Sequence, residues 1–337
     1  METVDQFNVI LDAFNIKAKC SSVSQIDNYT FYDLKLHPNA KVKDIQKCSD
    51  ELALALQKPR KPSIKILHEL GVVRLEFMTP NKSVLNLFDY FTNDDIPTGS
   101  LVSLLGKTVD GKRMWMDLAQ NPHLIVAGTT GSGKSTLLHN IIANTINYND
   151  CEMYLVDPKN IEFHEYQEKL GMNVSYSYDE TIIVLDHLLK TMEDRYSMIR
   201  SGCSPSDIPY ILLIIDEFAD LIMQDKDDQF FSKLCRLAQK CRAARISIVL
   251  STQRPSVNII NGAIKANFPA RISCRVASHV DSKVVLDTSG AEDLIGRGDA
   301  LLIDNFRHME RFQVAYTDAV EVCNYFGEQC KPPTNLI

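Results

Sequence analysis

The chain has 337 residues, 45% hydrophobic and 23% charged, with 36 Lys and Arg against 43 Asp and Glu for a net charge of −7. That balance describes a packed protein with room for one large domain or two ordinary ones, and it excludes both a low-complexity chain and a diffuse basic surface, so any polyanion site must be local. No window approaches the ~18 uninterrupted apolar residues of a membrane helix, no leader pattern opens the chain, and nine scattered cysteines show no C-x-x-C pair; a cytoplasmic protein with reduced thiols and no zinc site is expected.

From Met1 to about Pro97, short apolar runs at Phe31 to Leu36 and Ile64 to Phe77 surround a helix-like stretch from Val42 to Leu56. This predicts a small α/β domain over 1–97. The Asp, Pro, Thr and Gly of Asn93 to Ser100 mark a loop and place the boundary there, with a larger domain over 98–337. A hairpin is predicted next, from Leu101 to Leu105 through Val109-Asp110-Gly111-Lys112 to Arg113 to Asp117. Beyond it, strand runs are expected at His123 to Ala127, Met153 to Val156, Tyr210 to Ile215, Ile246 to Ser251 and Arg271 to Val276. Helices are expected around Ser135 to Asn147, Tyr178 to Arg200 and Gln229 to Arg242. Alternation of this kind is the pattern of a mostly parallel sheet covered on both faces, an α/β fold.

Gly128-Thr129-Thr130-Gly131-Ser132-Gly133-Lys134-Ser135 fits G-x-x-x-x-G-K-[ST], with the strand Leu124 to Ala127 before it and an apolar helix starting through Thr136 after it. Glycines at those positions let backbone N–H groups turn inward on phosphate oxygens, and the helix N-terminus adds a favourable dipole. Lys134 is expected on the β and γ phosphates of ATP and the Ser135 hydroxyl on Mg2+. A second signal is Tyr210 to Ile215, a continuous apolar run ending in Asp216-Glu217. A buried parallel strand of this type delivers two carboxylates to the edge where phosphates bind, Asp216 for the metal and Glu217 to orient and deprotonate the attacking water. The run Ile246 to Leu250 ends in Ser251-Thr252-Gln253-Arg254-Pro255, and Gln253 is the candidate sensor of the γ phosphate.

Taken in order, several strings resemble the FtsK/SpoIIIE family of DNA translocases. They are Pro122 to Ser135, Asp157-Pro158-Lys159, Met192-Glu193-Asp194-Arg195-Tyr196, Ile215 to Leu221, Thr252 to Val257, Ile264 to Arg271 and Gly290 to Asp299. Weaker traces, Leu52 to Leu56 and Pro80-Asn81, lie before Leu101. The resemblance implies an α subdomain followed by a RecA-like P-loop β subdomain, a hexameric ring in two tiers, and ATP hydrolysis coupled to movement of double-stranded DNA. It implies that Arg271 is an arginine finger reaching the neighbouring subunit's nucleotide. It also implies DNA-facing loops at 278–283 and 305–311, carrying Lys283, Arg307 and Arg311. Lys283 stands where the family usually has Arg, which keeps the charge but loses the planar fork.

About 35 residues follow Leu302, too few for the family's sequence-reading winged-helix module, and no membrane segment precedes the motor. Those two features favour DNA transfer or packaging for a mobile element or virus over a role at a division septum. The alternative is a secretion-system-type ATPase moving a protein substrate, although such ATPases usually carry membrane segments and tandem modules. A non-hydrolysing scaffold is disfavoured by the intact Lys134, Asp216 and Glu217.

Overall fold

The structure, a computed structural model, describes residues 3–26, 29–78, 85–91, 96–147 and 151–327. Pro80-Asn81 and part of the segment from Asn93 to Ser100 lie outside the described residues. The chain separates into two compact units, one formed by Met1–Val84 with Val109–Lys112 and the other by Leu85–Thr108 with Arg113–Ile337.

The first unit runs α1 (Val4–Ala13), β1 (Ala18–Ile26), β2 (Tyr29–Leu36), α2 (Val42–Lys47), α3 (Ser49–Ala55), β3 (Ser63–Leu67) and β4 (Val72–Met78). Its strands form an antiparallel sheet in the order β1-β2-β4-β3. Phe7 and Leu11 from α1, Ile45 from α2 and Leu52 from α3 are buried together with Tyr32, Leu34, Val73 and Leu75 of the sheet. The stretch from Val42 to Leu56, expected as one helix, is two. Cys48 leaves helical geometry (φ −99°, ψ 16°), and the Ser49 hydroxyl donates to the Gln46 carbonyl at 2.8 Å, a local bond that competes with the helical ladder. The run Ile64 to Phe77 is likewise a hairpin, β3 paired with β4, turning through Gly71 at φ 64°.

The second unit opens with β5 (Val102–Thr108), β6 (Arg113–Asp117), β7 (His123–Ala127), α4 (Lys134–Ile146), β8 (Cys151–Val156), α5 (His164–Leu170), β9 (Val174–Ser175) and α6 (Tyr178–Arg200). It continues with β10 (Tyr210–Ile215), α7 (Phe218–Gln224), α8 (Gln229–Lys240), β11 (Ile246–Thr252), α9 (Gly262–Asn267), β12 (Ala270–Cys274), α10 (His279–Leu286), β13 (Asp299–Ile303), β14 (Met309–Val314) and α11 (Ala319–Phe326). Ten strands form one sheet in the order β6-β5-β14-β13-β12-β7-β11-β10-β8-β9. From β12 to β9 every pairing is parallel, and from β12 through β13, β14 and β5 to β6 every pairing is antiparallel.

Side chains of a strand alternate between faces, and both faces of this sheet are covered. Ile211, Leu213 and Ile215 of β10 join a core with Leu185 of α6 and Leu234 of α8. Leu212 and Ile214 join the opposite core with Leu138 of α4, Tyr166 of α5 and Phe326 of α11. That two-sided burial is why β7, β10 and β11 read as mostly apolar runs. Their parallel pairing brings their C-terminal ends to one edge of the sheet, where α4 begins.

Candidate functional site

The loop from Gly128 to Gly133 joins β7 to α4. Gly131 (φ 73°) and Gly133 (φ 105°) both use the left-handed backbone that glycine adopts freely. A Cβ at Gly128 would fall 2.5 Å from the Ser132 hydroxyl, and one at Gly133 would fall 2.4 Å from the Gly298 nitrogen, so both positions admit no side chain. The backbone is pinned on several sides. Gly128 N–H donates to the Thr252 carbonyl at 3.2 Å and Thr129 N–H to the Arg275 carbonyl at 2.9 Å. Arg297 and Gly298 N–H donate to the carbonyls of Gly131 and Ser132 at 3.2 and 2.8 Å. The loop leads into the first turn of α4, where Lys134, Ser135 and Thr136 have N–H groups with no partner four residues back.

Lys134 is buried. Its ammonium donates to an Asp216 carboxylate oxygen and, at 2.8 Å, to the Ser251 hydroxyl, which itself donates to the same Asp216 oxygen at 2.6 Å. The Ser135 hydroxyl donates to Glu162 Oε1 at 2.7 Å, and His139, one turn further along α4, stands with Nε2 3.5 Å from Glu162 Oε2. Hydrogen bonding from His139 and then from Ser135 outweighs burial and brings the Glu162 carboxyl down to about 2. His139 Nδ1 in turn meets the Tyr166 hydroxyl at 2.9 Å. Asp157 fixes Glu162 by accepting from the N–H groups of Ile161, Glu162 and Phe163 at 2.8 to 3.0 Å.

Glu217 follows β10 in the left-handed region (φ 51°, ψ 55°) and is buried. Its carboxylate accepts from Thr252 Oγ1 at 2.7 Å, from Gln253 N–H at 3.1 Å and from Lys159 Nζ at 3.3 Å. Gln253 Oε1 accepts from Thr130 Oγ1 at 3.1 Å, which ties the end of β11 to the phosphate loop. The structure therefore brings Lys134, Ser135, Asp216, Glu217 and Gln253 to one edge.

The four expected cations do not share one setting. Arg271 is the second residue of β12, and its side chain is 3% exposed, held by Asp287 at 2.6 Å and by the carbonyls of Phe268 and Val285 at 3.2 Å. The segment 278–283, expected as a loop, is the N-cap and first turns of α10, with Ser278 and Asp281 forming a capping box; Lys283 is exposed on that helix. Arg307 lies in the turn between β13 and β14, 67% exposed, with Nη1 3.0 Å from Asp287. Arg311 corrects the reading of 305–311 as one DNA-facing loop. It lies within β14, buried, with Nε and Nη2 on the two carboxylate oxygens of Asp299 at 2.9 and 2.7 Å. The reason is where the strand starts: β14 begins at Met309, so Arg311 is inside a sheet covered on both faces, paired with Leu301 and beside the buried Asp299 of β13.

Sequence reasoning assigned no role to Ser251, Thr252, Lys159, Glu162 or His139. The adjacency of Asp216 to Ser251 follows from the β10 to β11 register, in which Ile215 stands beside Leu250, and no local pattern reports that register.

The FtsK/SpoIIIE family model matches residues 93–203 and 202–257. The chain is 32% identical over 351 residues to DNA translocase FtsK of Listeria monocytogenes serovar 1/2a, covering 95% of this chain and 46% of that protein. It is 34% identical over 326 residues to DNA translocase FtsK of Chlamydia trachomatis serovar D, covering 87% of this chain and 40% of that one. The chain thus spans less than half the length of these relatives. Among solved structures it resembles the monomer form of the pCW3 conjugation coupling protein TcpA with ATPγS, with a TM-score of 0.70 at 22% identity over 97% of this chain and 99% of that one. It also resembles the cytoplasmic domain of the Thermomonospora curvata type VII secretion ATPase EccC, with a TM-score of 0.64 at 21% identity over 75% of this chain and 35% of that one. Those structural likenesses show the P-loop ATPase fold, and the sequence matches show that the chain belongs to the FtsK/SpoIIIE family.

Proposed function

We propose that this chain is the motor subunit of a ring, a hexamer, that hydrolyses ATP in the cytoplasm to move double-stranded DNA, with 98–337 as the motor domain and 1–97 as the smaller tier. The observation that carries the reading is the single edge at which Lys134, Asp216, Ser251, Glu217 and Gln253 meet the pinned glycine loop. In this reading the loop from Gly128 to Thr136 cradles the phosphates. Lys134 exchanges Asp216 for the β and γ oxygens, Glu217 orients and deprotonates the attacking water, and Gln253 senses the γ phosphate. Arg271 serves the neighbouring subunit's nucleotide, which requires it to leave Asp287.

A hydroxyl and carboxylates gather where the loop meets α4, a donor set that suits a hard divalent cation. Among the described residues no three or more His, Cys, Asp or Glu side chains are arranged to hold a metal by themselves. Mg2+ would therefore arrive with the nucleotide, held by Ser135 and, through water, by Asp216, and it would supply charge neutralisation at the transferred phosphoryl group.

Lys283 and Arg307 are the exposed cations proposed to meet the duplex. Phosphate contacts of this kind grip without reading sequence. The test is ATP turnover by the purified chain with and without duplex DNA over a salt series. Stimulation by duplexes of unrelated sequence that fades as salt rises is expected; turnover indifferent to duplex at low salt would overturn the DNA substrate while leaving the ATPase.

A further inference from the structure

Asp287 closes α10 with a left-handed backbone (φ 60°), its N–H donating to the Lys283 carbonyl at 3.1 Å. Its one carboxylate serves three cations from three different elements. Lys265 of α9 reaches Oδ1 at 2.7 Å, while Arg271 of β12 and Arg307 of the turn after β13 reach Oδ2 at 2.6 and 3.0 Å. These interactions hold the carboxyl well below the usual carboxylate range, against the opposing effect of burial. Three cations on one carboxylate, with the exposed Lys283 one turn back along the same helix, leave positive charge in excess here, although the whole chain carries −7.

The three partners are not equally free to leave. Arg271 is buried and also donates to backbone carbonyls, so a duplex phosphate does not reach it. Arg307 is largely exposed, and among the described residues Asp287 is the acceptor for its side chain. The turn that carries it is preformed. Asp304 Oδ1 accepts from the N–H groups of Phe306 and His308, both at 2.9 Å, and Arg307 itself is left-handed (φ 66°).

We propose that Asp287 is a built-in competitor for duplex phosphate. With DNA absent it occupies the Arg307 guanidinium, and a phosphate oxygen of the duplex displaces it there, while the backbone at the end of α10 keeps the carboxylate from following. Lys265, on the other oxygen of the same carboxylate, becomes a further contact for the phosphate backbone. A phosphate offers a guanidinium the same pair of anionic oxygens that a carboxylate does, so the exchange is like for like. An exposed ion pair is weak, so the competitor lowers DNA affinity by about twofold to fivefold without blocking the site. A grip held to that strength lets a motor release and re-engage the duplex at each step.

This inference rests on the reading of the 304–308 turn as a DNA contact, and the experiment separates the two. Binding of a fluorescent duplex is measured by anisotropy at fixed salt for the wild type, Asp287→Asn, Arg307→Ala and the double variant. Asn tolerates the left-handed backbone and keeps an acceptor for Arg271; Asp287→Gly, which also accepts that backbone, replaces it if the Asn variant melts early. Asp287→Asn is expected to bind about twofold to fivefold tighter than wild type, Arg307→Ala to bind more weakly, and the Asn change to add nothing once Arg307 is gone. Equal tightening in both backgrounds, or none in either, would overturn the competitor while leaving the DNA contact. An Arg307→Ala protein with wild-type affinity would remove the contact itself, and the proposal with it.

Discussion

Glu217 sits at 0% exposure in a left-handed backbone that a non-glycine residue adopts at a cost of about 1–3 kcal/mol, and it is held there by Thr252, Gln253 and Lys159. Glu217→Gln preserves shape and most of this bonding but loses the base. ATP binding should persist while turnover falls by about 10²–10⁴-fold, checked by nucleotide binding and steady-state hydrolysis on one preparation. Lys134→Ala should instead abolish binding or turnover, since it removes the only ammonium buried beside Asp216 among the described residues. The two arginines of the β13 to β14 hairpin should separate just as sharply. Arg311→Ala strips a fully buried Asp299 of its bidentate partner, a loss of about 3–5 kcal/mol read as a fall in Tm. Arg307→Ala should leave Tm nearly unchanged, because exposed pairs contribute little, and should lower DNA-stimulated turnover while basal turnover stays close to wild type. Both are arginines in the same short stretch of sequence. Only the start of β14 at Met309 tells them apart: Arg307 stays in the turn before it, while Arg311 lies inside a sheet covered on both faces, against the buried Asp299.

At the scale of elements, the strands that carry chemistry were legible because each is a mostly apolar run that stops at a glycine-rich or polar segment. Tyr210–Ile215 and His123–Ala127 occur with the bounds their residues predict, and the helix after the phosphate loop begins one residue earlier than expected, at Lys134. What local pattern misses is how elements grip one another. The segment Gly296-Arg297-Gly298 backs the phosphate loop through two backbone hydrogen bonds and lies so close to Gly133 that no Cβ fits between them. Gly133→Ala should therefore displace the loop, lowering both ATP affinity and Tm; unchanged nucleotide affinity in a folded variant would show that the contact yields without moving the loop. The break at Cys48 has a similar origin. Apolar periodicity runs straight through it, and a single serine hydroxyl bonded to a nearby carbonyl interrupts the ladder.

For the whole molecule, the proposed ring makes Arg271 a residue of its neighbour's site, so assembly should be required for turnover. Mixing Arg271→Ala subunits with Lys134→Ala subunits should partly restore hydrolysis, because some interfaces then pair an intact loop with an intact arginine. Absence of recovery in mixed rings verified by mass would count against action between subunits. The sequence by itself determined the family, the α/β class, the phosphate loop and the acidic strand end, since glycine spacing and apolar run length are properties of neighbouring residues and survive without knowledge of contacts. Only the tertiary structure decided that Ser251 bonds both Lys134 and Asp216, that Glu162 takes the Ser135 hydroxyl, that Arg311 is buried, and that Asp287 joins Lys265, Arg271 and Arg307. The first depends on the register of β10 beside β11, strands far apart in the chain, and the others on how loops, helices and strand starts pack around that sheet; hydrophobic burial sets those arrangements for the molecule as a whole rather than for any one segment.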